Sequence, residues 1–298
     1  MRNMLVAALL VLFHAAADAS VNVFACEPEW AALVTEVAGD QVTVTSATTA
    51  QQDPHRIQAR PSLIARMRRA DLVICTGAEL EAGWLPLLLR RANNPRVQPG
   101  QPGYLEAASV VSLLERPQRL DRADGDVHAA GNPHIQTNPH HLASVAREIA
   151  DRLAVIDPDR AAAYRDGLEQ FLARWQTAIA RWEQAATALR GMRVVAQHNS
   201  WVYLNDWLGL QQVATIESKP GVPPSGGHLS TLVAQLGQQP AAAIIRAAYQ
   251  HDASAAWLSE RTAIPVVVLP YTVGGSDDAA DLFGLFDATL ERLLAVAP

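Results

Sequence analysis

Four polar side chains stand where a short apolar run gives way to a helical pattern. They are His55 in Gln52-Asp53-Pro54-His55, His134 in Asn132-Pro133-His134, His198 directly after Val194-Val195-Ala196-Gln197, and Asp277 in Gly274-Gly275-Ser276-Asp277-Asp278. Three imidazoles and a carboxylate suit a divalent metal. Neutral imidazole binds Zn2+ at about 2.0–2.1 Å and a carboxylate oxygen can complete the tetrahedron, whereas manganese asks for more oxygen ligands. No short ligand spacing such as H-E-x-x-H occurs, so only the fold can assemble such a site. Taken singly, a histidine at a strand end is more often a partly buried structural residue.

The elements that would position these groups alternate in kind. Apolar runs at 21–26, 41–45, 71–75 and 109–114, then at 194–197, 212–216, 241–245 and 265–269, read as strands. Helical patterns lie between them, at 29–37, 61–70 and 79–91 and again at 201–208, 229–236, 252–262 and 279–296. Such alternation implies βαβ units and parallel sheets, whose strand-to-helix turns share one edge. Asn138-Pro139 supplies an N-cap followed by a first-turn proline for one more helix. From Asp157-Pro158 the longest periodic segment carries Tyr164, Leu168, Phe171, Leu172, Trp175, Ile179, Trp182 and Leu189 at steps of three or four and closes at Gly191. A helix of some thirty residues is about 45–50 Å long. It reads as a spine joining two α/β lobes, because a strict heptad is not sustained. The fold class is α/β: two (β/α)4-type lobes with parallel sheets, one long backbone helix and a metal site in the interlobe cleft. The expected division is a signal peptide at 1–19, an N-terminal lobe at 20–156, the linking helix at 157–190 and a C-terminal lobe at 191–298.

Composition narrows the class. The 298 residues carry a net charge of -6 and show no Lys/Arg run, so no nucleic-acid partner is expected. Arg2, the apolar stretch 4–13 and Ala17-Asp18-Ala19 form a secretory signal with cleavage before Ser20. Val23-Phe24-Ala25-Cys26 faintly resembles an acylation site, but it lies well past the apolar region and reads better as strand. In an exported chain the two cysteines, Cys26 and Cys75, invite a disulfide, the alternative being two buried thiols.

Asp53-Pro54-His55, the run Ala70-Asp71-Leu72-Val73-Ile74-Cys75-Thr76-Gly77-Ala78-Glu79-Leu80-Glu81, Asn132-Pro133-His134, and Val195-Ala196-Gln197-His198 with Tyr203-Leu204 occur in one order. In that order they resemble the landmarks of the zinc- and manganese-binding solute-binding proteins of ABC importers, over essentially the whole mature chain. The resemblance implies two small lobes, a rigid connecting helix and one metal between the lobes. It places His55, His134 and His198 on the three family histidines, as in the zinc branch, with Asp277 at the last-turn ligand position and Asp278 or Glu217 as substitutes. It further implies a periplasmic, monomeric zinc carrier for an ABC permease, supplied directly or by a periplasmic metal-donating protein, with no catalysis. Two departures stand out. Ile135-Gln136-Thr137-Asn138-Pro139 replaces an acidic-aromatic run, and the loop 117–133, short here, carries only Asp121, Asp124, Asp126 and His128, enough for at most a weak second site. Movement on binding is expected in 219–227 and in that loop. Affinity should fall as pH drops through the histidine range near 6.5.

The rival reading is a secreted zinc hydrolase with a water in the fourth position and Glu217 as general base. A weaker one is a metal-independent adhesin of the same fold. His140, His141, His228 and His251 read as surface or helix-start residues, and Trp175 and Trp182 as core.

Overall fold

The computed structural model describes residues 20–119 and 125–298. The expected signal segment, and Asp121 and Asp124 of the loop, lie outside the described residues. The chain folds into two four-stranded parallel sheets of the same topology. β1 (Val21–Ala25), β2 (Val42–Ser46), β3 (Leu72–Cys75) and β4 (Tyr104–Glu106) lie in the order β2-β1-β3-β4. β5 (Arg193–Ala196), β6 (Gln211–Thr215), β7 (Ala243–Ala247) and β8 (Val266–Leu269) lie in the order β6-β5-β7-β8. The inner strands β1, β3, β5 and β7 are mostly buried, which explains why they read as apolar runs, whereas the edge strands β2 and β6 are partly exposed and mix Thr or Gln with Val and Ala. Among the described residues no helix is long and apolar enough to cross a membrane.

Three apolar clusters organise the packing. The outer face of the first sheet packs Phe24, Val73 and Cys75 against α2 (Pro61–Arg69) and α3 (Leu85–Ala92), through Leu63, Met67 and Leu88. The outer face of the second packs Val195 and Ile244 against α7 (Gly226–Gln238) and α8 (Ala253–Thr262), through Leu232, Leu236 and Leu258. The inner faces share one continuous core with α1 (Pro28–Ala38), α4 (Pro139–Ile156), α5 (Ala161–Ala185), α6 (Val202–Leu208) and α9 (Leu282–Leu294). Its centre is aromatic: Trp175 sits edge-on to Trp182 and Phe286, and each indole N–H donates a hydrogen bond, to the Pro139 carbonyl at 2.8 Å and to Asp287 at 2.6 Å. Each such ring contributes roughly 1.5–3 kcal/mol by burial, so this cluster fixes the lobes on the helix between them.

That helix is shorter than its periodicity suggested. Its α-helical part is 25 residues, about 37 Å, with tighter 3-10 turns at Pro158–Arg160 and Ala186–Leu189. Its interior glycine is a crossing point, because a Cβ on Gly167 would lie 2.1 Å from the Val37 carbonyl at the end of α1. Gly167→Ala should therefore destabilise the protein by about 1–3 kcal/mol, the usual cost of overpacking. It should lower the urea midpoint without changing the m-value. An unchanged midpoint would mean that α1 and α5 are free to part.

Two local expectations fail for identifiable reasons. The fourth strand is Tyr104–Glu106 rather than 109–114. Gly103 lets it in, since a Cβ there would stand 2.4 Å from the Asp71 carbonyl and 2.5 Å from that of Arg96. Val110, Val111, Leu113 and Leu114 pack on the core without pairing to a strand. Helix 79–91 begins only at Leu85, because Gly77, Ala78 and Glu79 all have positive φ and Pro86 sits in the first turn. Asn138 caps α4 as expected, its side chain accepting from the His140 N–H.

Cys26 and Cys75 follow β1 and end β3, which are neighbours, and they form the expected disulfide. It closes a separation of 49 residues, worth about 4 kcal/mol in the chain-entropy model.

Candidate metal centre

His55, His134 and His198 converge at the carboxyl edges of the two sheets, the edge at which open α/β folds bind ligands. One ring nitrogen from each lies within 4.8 Å of the others. Their ring centroids are 5.6 Å apart for His55 and His134, 5.8 Å for His55 and His198, and 5.5 Å for His134 and His198. Two imidazoles bound to one tetrahedral zinc at 2.0–2.1 Å hold their centroids about 5 Å apart. The three rings thus need only a slight contraction to share an ion.

The first two histidines are held by the same local device. In Asp53-Pro54-His55 the Asp53 Oδ1 accepts from the His55 backbone N–H at 3.0 Å and lies 2.8 Å from its Nδ1. In Asn132-Pro133-His134 the Asn132 Oδ1 accepts from the His134 backbone N–H at 3.1 Å and again lies 2.8 Å from Nδ1. The proline fixes the backbone between acceptor and ring. His198 is held from a different element: Glu217, just past β6, places Oε2 2.7 Å from its Nδ1 and also accepts from the Gly221 N–H at 2.7 Å. A carboxylate or amide oxygen only accepts, so every Nδ1 must carry the proton. That leaves each Nε2 as a lone pair, the tautomer and orientation that metal-bound histidines take from such partners. The Nε2 atoms of His55 and His134 are buried with no hydrogen-bond partner in the protein, a cost of about 1–3 kcal/mol each that a ligand would remove.

Further contacts brace these holders. Trp84 Nε1 donates to the Pro54 carbonyl at 2.9 Å. Tyr203, on α6, donates to the Asn132 carbonyl at 2.6 Å, and the Asn132 side chain donates to the Asn199 carbonyl at 2.9 Å. The loop carrying His134 is thereby tied to the segment carrying His198. Burial, and after it the neighbouring His198, His55 and His128, push the His134 imidazole well below its usual pKa. Burial works against ionisation of Asp53, but the hydrogen bonds and charge of His55 more than offset it and hold the carboxyl below its usual range.

The other sequence candidates do not join the cluster of three ring nitrogens. Asp277 is exposed on the loop after β8, and the structure does not bring it into the histidine group. Asp278 is exposed and bidentate to Arg292, at 2.7 and 2.9 Å. Glu217 orients His198 instead of facing the shared centre. The sequence reading missed Asp53 and Asn132 as holders, though the repeated Asx-Pro-His was visible. It also missed how near His128 comes, with its ring 5.4 Å from that of His55 and 6.3 Å from that of His134. A cavity of about 310 Å³, lined by Asp53, His55, His198, Glu217 and Tyr249 among others, leads to the group from outside. His141 is half-buried against Tyr203, not a surface residue.

A family model described as zinc-uptake complex component A, periplasmic (ZnuA), matches residues 23–296. The zinc-binding lipoprotein AdcA of Streptococcus pneumoniae is 23% identical over 240 residues, 77% of this chain and 47% of that protein. The manganese ABC transporter substrate-binding lipoprotein scaA of Streptococcus gordonii is 26% identical over 156 residues, 52% of this chain and 48% of that protein. The matches thus span about half the length of these curated relatives. A crystal structure of ZnuA aligns over 94% of this chain and 100% of its own, with a TM-score of 0.79 at 21% identity; the fold is therefore the same.

Proposed function

Since the chain belongs to the ZnuA family of periplasmic zinc-uptake components, we propose that it is a periplasmic solute-binding protein that captures Zn2+ in its interlobe cleft and delivers it to an ABC-type importer. His55, His134 and His198 are the metal ligands of this reading, with Asp277 the fourth candidate from the sequence. The lobes are 20–156 and 191–298, with 157–190 as the link and 1–19 a removed signal peptide. The carrier is a monomer that surrenders zinc to a permease and receives it directly or from a periplasmic donor protein. The observation that carries the reading is the convergence of three imidazoles whose Nδ1 protons are all committed to Asp53, Asn132 and Glu217. Nitrogen donors favour zinc over manganese, which prefers oxygen. Against a hydrolase stands Glu217, whose Oε2 is engaged by both His198 and Gly221 and so is not poised as a general base.

The test is metal analysis of the mature protein after equilibrium dialysis against zinc or manganese. One zinc per chain is expected, with manganese displaced by equimolar zinc. Absence of zinc uptake, or manganese held against equimolar zinc, would sink the reading.

A further inference from the structure

We propose that the outer face of the first lobe, formed by α2 and α3, is a docking surface for anionic phospholipid headgroups, which holds the protein against a membrane by the end remote from the metal centre. The two helices together carry Arg66, Arg68, Arg69, Arg90 and Arg91, and no aspartate or glutamate. Leu63, Met67, Leu88 and Ala92 turn into the core, which leaves all five arginines exposed. Arg68 donates to the Ala92 and Arg91 carbonyls at 3.3 and 3.4 Å and so ties the end of α2 to the end of α3. Among the described residues the other four form no ion pair.

The second lobe shows that the fold does not require this charge. Its α7 and α8 flank β7 as α2 and α3 flank β3, in a sheet of the same topology. They carry one glutamate and one arginine, Glu260 and Arg261. A cation at a helix C-terminus is favourable, yet α7 ends without one. The chain as a whole has a net charge of -6, so a face of unpaired arginines orients it at a negative surface. Guanidinium groups meet phosphate oxygens in pairs. Leu87, 38% exposed, stands one turn before Arg90 and Arg91 on the same side of α3. An apolar side chain within a basic field suits the boundary between headgroups and acyl chains. Both cysteines are joined in the buried disulfide, so neither is free to carry a lipid, and contact with a membrane falls to the surface. Because α2 and α3 link parallel strands, they run back from the carboxyl edge of the sheet, and the arginines gather in their last turns. The histidines lie at the opposite edge, so docking by this face leaves the cleft open to solution.

The experiment sediments the mature protein with phosphatidylcholine vesicles, with and without phosphatidylglycerol. It compares the double variants Arg66→Gln/Arg69→Gln, Arg90→Gln/Arg91→Gln and Arg147→Gln/Arg165→Gln, the last removing the same charge from exposed positions on α4 and α5. Binding is expected only where phosphatidylglycerol is present, and it should vanish in 1 M salt, where the Debye length is about 3 Å. Each arginine at such a surface is worth about fivefold in affinity. Either of the first two variants should therefore bind about 30-fold more weakly, and the third like wild type. Circular dichroism of all three should match wild type. Zinc affinity, read by chelator competition, should be the same with and without vesicles; a change would overturn the orientation. A wild type indifferent to phosphatidylglycerol, or a third variant as weakened as the other two, would overturn the proposal. So would retention on polyglutamate without binding to vesicles, which would assign the face to an acidic protein.

Discussion

Alanine in place of His134 or His198 should weaken zinc binding by about 100- to 1,000-fold. Tetrahedral protein zinc sites bind with roughly 10–16 kcal/mol. Shared among four ligands, that is about 3–4 kcal/mol each, and every 1.4 kcal/mol is tenfold. The holders rank below the ligands: Asp53→Ala, Asn132→Ala and Glu217→Ala should each cost about 10- to 100-fold, because the ring remains but loses its fixed tautomer and angle. Thermal unfolding reads the same quantity, since zinc at 1,000 times its dissociation constant stabilises by about 4 kcal/mol. The zinc-induced rise in melting temperature should disappear in the ligand variants and shrink in the holder variants. Equal losses for ligands and holders would mean that the rings are not the donors. The pH at which zinc leaves is also affected. Protons compete only once they bind the imidazoles, and His134 is held well below the usual value by burial and its neighbours. At that ligand, competition is thus deferred to pH values well under 6.5, later on acidification than free histidine would give.

How much of this was readable depends on the kind of signal. All but one of the strands were found: the inner ones because parallel strands buried on both faces read as apolar runs, and the edge strand β2 because its β-branched Val-Thr-Val-Thr run favours a strand. The exception, 109–114, is apolar because it lies on the core, and burial does not require a ladder. His55, His134 and His198 were legible because each follows a strand or opens a turn toward the carboxyl edge. The repeated Asx-Pro-His could have disclosed Asp53 and Asn132, since a proline between an acceptor and a histidine brings both the backbone N–H and Nδ1 onto one oxygen. His128 was legible only as part of a weak second site with the loop's aspartates, and only the crossing of Asp126 over Gly221 brings it to the other histidines. Asp277 shows the converse, a plausible position in the chain that the turn through Gly274 and Gly275 leaves exposed.

The second large effect concerns three buried carboxylates that the sequence did not single out. Glu27 and Glu29 open α1, and Glu81 sits in the turn after β3; each is at most 3% exposed. Burial raises Glu81 as well, to about 7, against the N–H bonds that it accepts from Thr76 and Gly77 at 2.7 and 3.0 Å. Burial first, then the charges of Glu81 and Glu29, raise Glu27 well above its usual range. Burial alone raises Glu29 to about 7, against the opposing hydrogen bond that it accepts from Thr272, in the turn after β8. A carboxyl raised in the fold holds a proton that the unfolded chain has already released. Its contribution is whole below about pH 4.5 and is lost as pH climbs to about 7. At about 1.4 kcal/mol per unit over that interval, the loss is roughly 3 kcal/mol. The buried imidazoles act in the opposite sense, since a lowered pKa makes stability rise with pH up to about 6.5, so the wild-type curve alone mixes the two. Glu29→Gln separates them, because the amide keeps an acceptor for Thr272 and cannot ionise. Urea unfolding of the metal-free protein should show the variant close to wild type at pH 5 and more stable than wild type by roughly 2–3 kcal/mol at pH 8. A variant equally displaced from wild type at both pH values would place the proton elsewhere. The Glu29–Thr272 bond ties the first lobe to the turn after the last strand of the second; it favours the ionised carboxylate, so the stability lost as pH rises comes from the buried charge and not from that bond.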